Sequence, residues 1–157
     1  MSPSIIAIKN FFPENVTAFY TTRTGGFSKH SYSHFNLADN IGDNSNFVER
    51  NRKFLIHQIK SDVVWLRQVH SNIVFDMDTI VEQEFLDATL DSPVADSSIT
   101  SKVYRCSVVM TADCLPILVS SQEGTLIGSI HCGWKGLSNK IISVFFESFF
   151  NKLNHLK

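Results

Sequence analysis

The sequence lacks several features that mark whole classes of protein. Its 14 Lys and Arg are balanced by 15 Asp and Glu, and the formal net charge of −1 gives no electrostatic reason to expect a nucleic acid or a membrane surface as partner. No apolar run approaches the roughly 18 residues that span a bilayer. The N-terminus, MSPSIIAIKN, lacks the cationic start and long apolar stretch of a signal peptide, which favours a cytoplasmic location. Repeats, low-complexity tracts and linkers are missing too, so we expect one domain over residues 1–157.

Cysteine is also scarce. Cys106, Cys114 and Cys132 are an odd number, and a cytoplasmic protein keeps its thiols reduced, so we interpret them as thiols or metal ligands rather than as a disulfide framework. Apolar residues, by contrast, are plentiful. They make up 43% of the chain against 18% charged residues, and thirteen are Phe, which is typical of a globular protein with an aromatic core.

The spacing of the apolar residues predicts both strands and helices. One helix is predicted over 46–59 with Asn46 as its cap, and an amphipathic helix over 138–153 with Ser138 as its cap. Short β-branched or aromatic runs predict strands at 16–22, 63–66, 73–75, 107–110, 117–119 and 125–130. We therefore expect an α/β fold with a mixed sheet. The long segment 23–44, rich in Gly, Asn, Asp and Ser, is predicted to be a functional loop.

Three apolar runs each end in a residue that can bind a metal. VVWLRQVH ends at His70, SVVMTADC at Cys114 and TLIGSIH at His131. If these strands are parallel neighbours, their ends share one edge of the sheet, where binding sites commonly form. Two imidazoles and one thiolate suit Zn²⁺, and three protein ligands leave a fourth position open, as in catalytic sites. The alternative is a small buried thiol and two histidines whose hydrogen bonds go to the backbone.

The segment HCGWKG, residues 131–136, offers a second indication. Gly133 and Gly136 permit close approach of the backbone, and Lys135 adds a positive charge before the C-terminal helix, whose N–H groups can hold an anion. The alternative is an ordinary strand-to-helix turn with Trp134 in the core. Cys132 should point away from His131 because side chains alternate along a strand. Asp96 and Asp113 are either supports for the ligands or turn-forming aspartates.

Several blocks, taken together, resemble a known family. TTRTGGFS (21–28), FNLADNIGDN (35–44), NR (51–52), RQVH (67–70), TADCLPILV (111–119) and HCGWKGL (131–137) are similar to the YfiH-type family, formerly described as multicopper polyphenol oxidases or laccase-like proteins. The resemblance implies an α/β sandwich of the YfiH type and a zinc-dependent purine nucleoside phosphorylase that also deaminates adenosine. It also implies that the metal ligands are His70, Cys114 and His131.

The resemblance suggests residues for substrate as well. It implies that Arg52 lies at the pocket and holds phosphate or substrate, and that Asn36 and Asp43 shape the same loop. Phosphorolysis needs a phosphate pocket, for which Arg23 and Lys135 are further candidates. Lys135 and Cys132 stand where the family usually has Arg and a small residue. Family members also continue well beyond the helix that follows HCGWKG, so we expect a C-terminally shortened fold.

Three functions compete at this point. The first is the zinc enzyme acting on a nucleoside and phosphate. The second is a copper-dependent phenol oxidase. A multicopper centre needs many more imidazoles than the group of His70, Cys114 and His131 provides, although copper binds such ligands tightly. The third is an inactive remnant that folds and binds metal without turnover. The sequence leaves oligomeric state and substrate preference open.

Overall fold

The structure is a computed structural model that describes residues 5–80 and 92–156. It divides into two compact units, Met1–Ser61 and Asp62–Lys157. Among the described residues, no helix has both the length and the apolar character needed to cross a membrane.

The first unit contains a two-stranded antiparallel sheet and one helix. Strands β1 (Ile5–Ile8) and β2 (Ala18–Thr21) pair with Ile5 opposite Thr21. Helix α1 (Ser45–Ile59) buries Val48, Asn51 and Leu55. Its cap is Asn44 and not the expected Asn46, because the extended backbone of Asn44 lets its side chain accept a hydrogen bond from the Asn46 N–H.

Asn51, a polar residue on the buried face of α1, organises the long loop 23–44. Its side chain accepts a hydrogen bond from the Phe27 N–H at 2.9 Å and donates to Ser28 Oγ and to the Asn36 carbonyl. Gly26 lies beside it at φ +84°, and a Cβ there would lie 2.7 Å from Asn51 Oδ1. The loop is therefore held by one fully buried amide.

The second unit is built on a four-stranded mixed sheet. Its strands are β4 (Val74–Asp76), β5 (Ser97–Thr100), β7 (Leu115–Ser120) and β8 (Ile127–Cys132), in the order β4-β5-β8-β7. The first two are parallel, and β8 is antiparallel to both of its neighbours. Two short strands, β3 (Asp62–Val63) and β6 (Arg105–Cys106), form a separate parallel pair. The expected mixed α/β fold is confirmed.

In this unit one strand prediction was wrong and one strand was missed. Residues 107–110 form no strand, because the Gln68 side chain takes the place of a strand partner: its amide donates to the Met110 carbonyl and accepts from the Met110 N–H, both at 2.7 Å. Strand β5 was missed because its sequence, SSIT, is polar. All four of its residues are nevertheless buried, since hydroxyl groups such as Ser98 Oγ find partners, here Ser107 Oγ at 2.7 Å.

The helix predicted over 138–153 is present but begins only at Ile141, and a separate short helix precedes it. A five-residue helix, α2 (Trp134–Ser138), ends before Lys140, whose left-handed backbone at φ 63° prevents a continuous helix and precedes α3 (Ile141–His155). Ser138 is therefore the last residue of α2 and not a cap. Helix α3 buries Ile141, Phe145 and Phe149 in one apolar cluster with Ile130 of β8. This packing fixes the strand that carries His131.

Candidate functional site

The structure brings His70, Cys114 and His131 together. One potential ligand atom from each lies within 4.8 Å of the others. Cys114 Sγ is 3.9 Å from His70 Nε2, and the two imidazole rings meet edge to face with their centroids 4.8 Å apart. Among residues 5–80 and 92–156, this is the one group of three or more His, Cys, Asp or Glu side chains placed to hold a metal ion.

The convergence does not arise from parallel strand ends, as the sequence analysis expected. Cys114 comes just before β7, which runs antiparallel to β8 and pairs Leu115 with Cys132. Cys114 therefore lies beside the end of β8, where His131 is. His70 is not on a strand but in the connection before β4, with a left-handed backbone at φ 60°. The three side chains come together as expected, but the predicted parallel arrangement of their strands was wrong.

Gly133 makes room for this cluster. Its φ of −72° is available to any residue, so backbone conformation does not require glycine there. Space does: a Cβ at this position would lie 2.6 Å from His70 Cδ2 and 3.1 Å from Cys114 Sγ. The predicted close approach of the backbone thus occurs at two of the three candidate ligands.

A buried carboxylate supports the cluster from behind. Asp96 has no exposed surface and accepts hydrogen bonds from the backbone N–H groups of Val69, His70 and Ser71. It also contacts His131 Nδ1 at 2.9 Å. Burial alone would raise the pKa of Asp96, but the hydrogen bonds from His131, Ser71 and Val69 outweigh it and lower the pKa to about 2. From the sequence alone, Asp96 was either a support for the ligands or a turn-forming aspartate.

The surroundings of the thiol are negative. Burial, the charge and hydrogen bond of Asp113 and the charge of Asp96 together raise the pKa of Cys114. Negative potential that keeps a proton on sulfur also favours a cation there, so the electrostatics and the donor set both fit a divalent metal such as zinc. Of the other two thiols, Cys132 belongs to the apolar cluster under α3, and burial raises the pKa of Cys106 to about 11.

Gly133 does not lead directly into the long C-terminal helix, as the sequence suggested. It is the N-cap of the five-residue α2. Lys135 is exposed on this helix, with its Nζ 5.6 Å from the centroid of the Trp134 ring. Trp134 is itself 73% exposed, so the expectation of a core tryptophan was wrong.

The remaining predicted site residues belong to the first unit, and their contacts are with its loop. Arg23 Nε donates to the Ser33 carbonyl at 2.9 Å. Asn36 donates to Asp43 at 3.0 Å. Arg52 donates through Nε to the Leu37 carbonyl at 2.9 Å and pairs with Asp39 at 3.1 Å. Each of these side chains thus stabilises the conformation of residues 23–44.

Comparison with known proteins gives consistent results. Residues 17–156 match the family model described as multi-copper polyphenol oxidoreductase laccase. A Haemophilus influenzae protein named purine nucleoside phosphorylase is 35% identical over 132 residues, which are 83% of this chain and 50% of that protein. The Escherichia coli purine nucleoside phosphorylase YfiH is 38% identical over 127 residues, 80% of this chain and 49% of that protein. The chain thus spans about half the length of these relatives.

Solved structures give the same result for the fold. A crystal structure of a DUF152 protein from Neisseria meningitidis superposes with a TM-score of 0.81 at 32% identity, and the match covers 92% of this chain and 57% of that one. A crystal structure of Bacillus licheniformis YfiH superposes with a TM-score of 0.79 at 22% identity and covers 98% of this chain and 58% of that one.

Proposed function

The chain belongs to the family described as multi-copper polyphenol oxidoreductase laccase, which includes the YfiH proteins, and from that premise we propose that it is a zinc-dependent purine nucleoside phosphorylase. The observation that carries the proposal is the group formed by His70, Cys114 and His131, with ligand atoms within 4.8 Å of one another. Its substrates are a purine nucleoside such as inosine, adenosine or guanosine, and phosphate. We further propose that the same centre deaminates adenosine.

The donor set supports zinc over copper. Two imidazole nitrogens and one thiolate are typical ligands of Zn²⁺, and three protein ligands leave a position for an oxygen of substrate or water. A bound zinc ion supplies Lewis-acid polarisation at that position. The protein contributes the geometry: β8 fixes His131, the residue before β7 supplies Cys114, and Gly133 keeps the space between His70 and Cys114 clear.

Phenol oxidation by copper is the second candidate function, favoured by the description of the matching family. Thiolate and imidazole also bind copper, and affinity for divalent metals generally peaks at copper. A multicopper centre, however, needs several further ligand groups. Residues 5–80 and 92–156 contain one such group, which suits a single metal ion.

We propose that the cationic residues Arg52, Arg23 and Lys135 are the candidates for binding phosphate. A planar guanidinium can hold phosphate through two parallel hydrogen bonds. Arg52 is partly buried and already donates from Nε to the Leu37 carbonyl, which fixes the direction of its guanidinium. Asn36 and Asp43 support the same loop through their mutual hydrogen bond.

The test of this function measures metal and turnover on one preparation. Protein purified without chelators is expected to contain about one zinc per chain, to cleave inosine only when phosphate is present, and to deaminate adenosine without it. Copper as the bound metal, with oxidation of phenols and no phosphorolysis, would establish the second candidate instead. Zinc binding without turnover of either nucleoside would identify an inactive metal-binding protein.

Arg52→Lys separates the two activities. Loss of the paired hydrogen bonds to phosphate should lower phosphate-dependent cleavage of inosine by roughly tenfold or more, since one hydrogen bond to a charged group contributes about 1.5–3 kcal/mol. Deamination of adenosine uses no phosphate and should change much less. Steady-state rates of both reactions on the same protein give the ratio.

Arg50→Lys is the matched control for Arg52→Lys. Arg50 lies on the same helix, with its guanidinium 4.0 Å from the centroid of the Phe27 ring, and no phosphate role is assigned to it. Both activities should be retained in this variant. An equal fall of both reactions in Arg52→Lys would instead assign that arginine to the ion pair with Asp39 and to the loop.

A further inference from the structure

We propose that Asp96 is the positioning residue of the metal site, because its carboxylate holds the backbone of His70 and the ring of His131 together. This inference rests on the proposed zinc function. It concerns a residue that is not itself a ligand, and it assigns which nitrogen of His131 faces the metal.

The contact with His131 fixes its tautomer. Asp96 Oδ1 is 2.9 Å from Nδ1 of the ring and also accepts the His70 N–H. Both carboxylate oxygens receive backbone donors, so the group acts as an acceptor and Nδ1 of His131 carries the proton. Nε2 therefore keeps its lone pair for the metal. The backbone of Asp96 adds a further restraint, because its carbonyl accepts the His131 N–H at 2.7 Å.

The contacts with residues 69–71 fix the other imidazole. Three successive N–H groups, from Val69, His70 and Ser71, point at one carboxylate, at distances of 3.2, 2.9 and 2.6 Å. Successive N–H groups that converge in this way form an anion-binding concavity, which here holds the protein's own carboxylate. The left-handed backbone of His70 belongs to this turn. Asp96 thus offsets the cost of an uncommon conformation at a ligand.

Asp96 can serve both ligands because its own place is rigid. It directly precedes β5, whose first residue, Ser97, pairs with Ile130 of β8. Its side chain has no exposed surface. A hydrogen bond from Ser71 Oγ at 2.8 Å completes the set of donors. The connection before β4 and strands β5 and β8 are therefore tied together at one carboxylate, next to the metal ligands.

The experiment compares Asp96→Asn with Asp78→Asn in the full chain. Asp78 is also a mostly buried carboxylate with several donors, from Thr100, Ser101 and Lys152, which outweigh burial and hold its pKa well below the ordinary value. No role at the metal is assigned to it. Zinc affinity is measured by competition with a chromogenic chelator, and folding of the metal-free protein by circular dichroism in urea.

Asp96→Asn is expected to lower zinc affinity by about 10- to 100-fold, the loss typical when a group that supports a metal ligand is removed. Asp78→Asn should lower the resistance to urea but leave zinc affinity unchanged. Nitrogen NMR of metal-free wild type should show His131 protonated at Nδ1, and this signature should be lost in Asp96→Asn. If Asp96 had only a structural role, its substitution would not change which nitrogen of His131 carries the proton.

Each contrary result has a distinct meaning. Wild-type zinc affinity in a folded Asp96→Asn protein overturns the inference, as does a wild-type His131 protonated at Nε2. A wild type without zinc affinity contradicts the proposed function, and the nitrogen spectra then still decide whether Asp96 positions His131. If Asp96→Asn does not fold, Ser71→Ala removes one donor to the carboxylate and should measurably weaken zinc binding, and unchanged affinity would again overturn the inference.

Discussion

Cys114→Ala is expected to abolish turnover and to lower zinc affinity by more than about 100-fold, beyond the loss typical of residues that only support a ligand. The substitution removes the one thiolate of the group and its negative charge, so two imidazoles remain as donors. The fold should survive, since Cys114 precedes β7 and lies outside the apolar clusters of the second unit. Zinc titration, inosine cleavage and urea unfolding on the same protein measure the three effects.

Cys106→Ala is the matched control for this substitution. It also removes one thiol, but from β6, outside the group of three potential ligands. Zinc affinity should be retained in this variant. A folded Cys114→Ala protein that binds zinc and turns over inosine as the wild type does would remove Cys114 from the proposed centre.

Gly133→Ala is expected to have the next largest effect, although it changes no ligand. The added methyl group would lie 2.6 Å from His70 Cδ2, closer than atoms can approach, so the imidazole or the backbone beside it must shift. The effect is steric because the backbone at φ −72° accepts alanine. We expect zinc affinity to fall at least tenfold, by analogy with loss of a supporting residue. The absorption bands of the cobalt-loaded protein should shift with the changed geometry.

Gly136→Ala tests whether the effect is local to the ligands. This glycine is in α2, and its added methyl group would first meet the Ser71 carbonyl oxygen at 3.1 Å, a smaller overlap that involves no ligand side chain. Zinc affinity should fall less than in Gly133→Ala. Equal losses in the two variants would indicate that α2, rather than the space beside His70, is what matters.

The sequence was sufficient to identify the candidate ligands but not the way they meet. Apolar runs indicate where strands lie but not which way they run or which strands are neighbours. The antiparallel pairing of β7 with β8 was therefore not predicted. The Gly133 prediction succeeded in part, because glycine next to a ligand indicates close packing whatever the topology. Asp96 could not be singled out, since its role depends on N–H groups about 25 residues away in sequence.

The errors in the fold have similar causes. Strand β5 was missed because hydrogen bonds between serine hydroxyls allow a polar strand to be buried. Residues 107–110 were wrongly predicted as a strand because the Gln68 side chain takes the backbone hydrogen bonds of Met110. The spacing of apolar residues gives no information about such side-chain hydrogen bonds. The long amphipathic stripe over 138–153 was correct as far as α3 reaches, but a left-handed residue such as Lys140 leaves no signal in hydrophobic spacing.

The antiparallel pairing of β7 and β8 has a consequence for the order in which a newly made chain brings the proposed metal ligands together. The two strands are joined by the short turn around Ser121 and Gly124, so they are close in sequence and can pair rapidly. This hairpin alone carries Cys114 and His131. His70 is more distant in sequence, and the turn that contains it is hydrogen-bonded to Asp96. Cys114 and His131 should therefore come together before His70 completes the proposed centre.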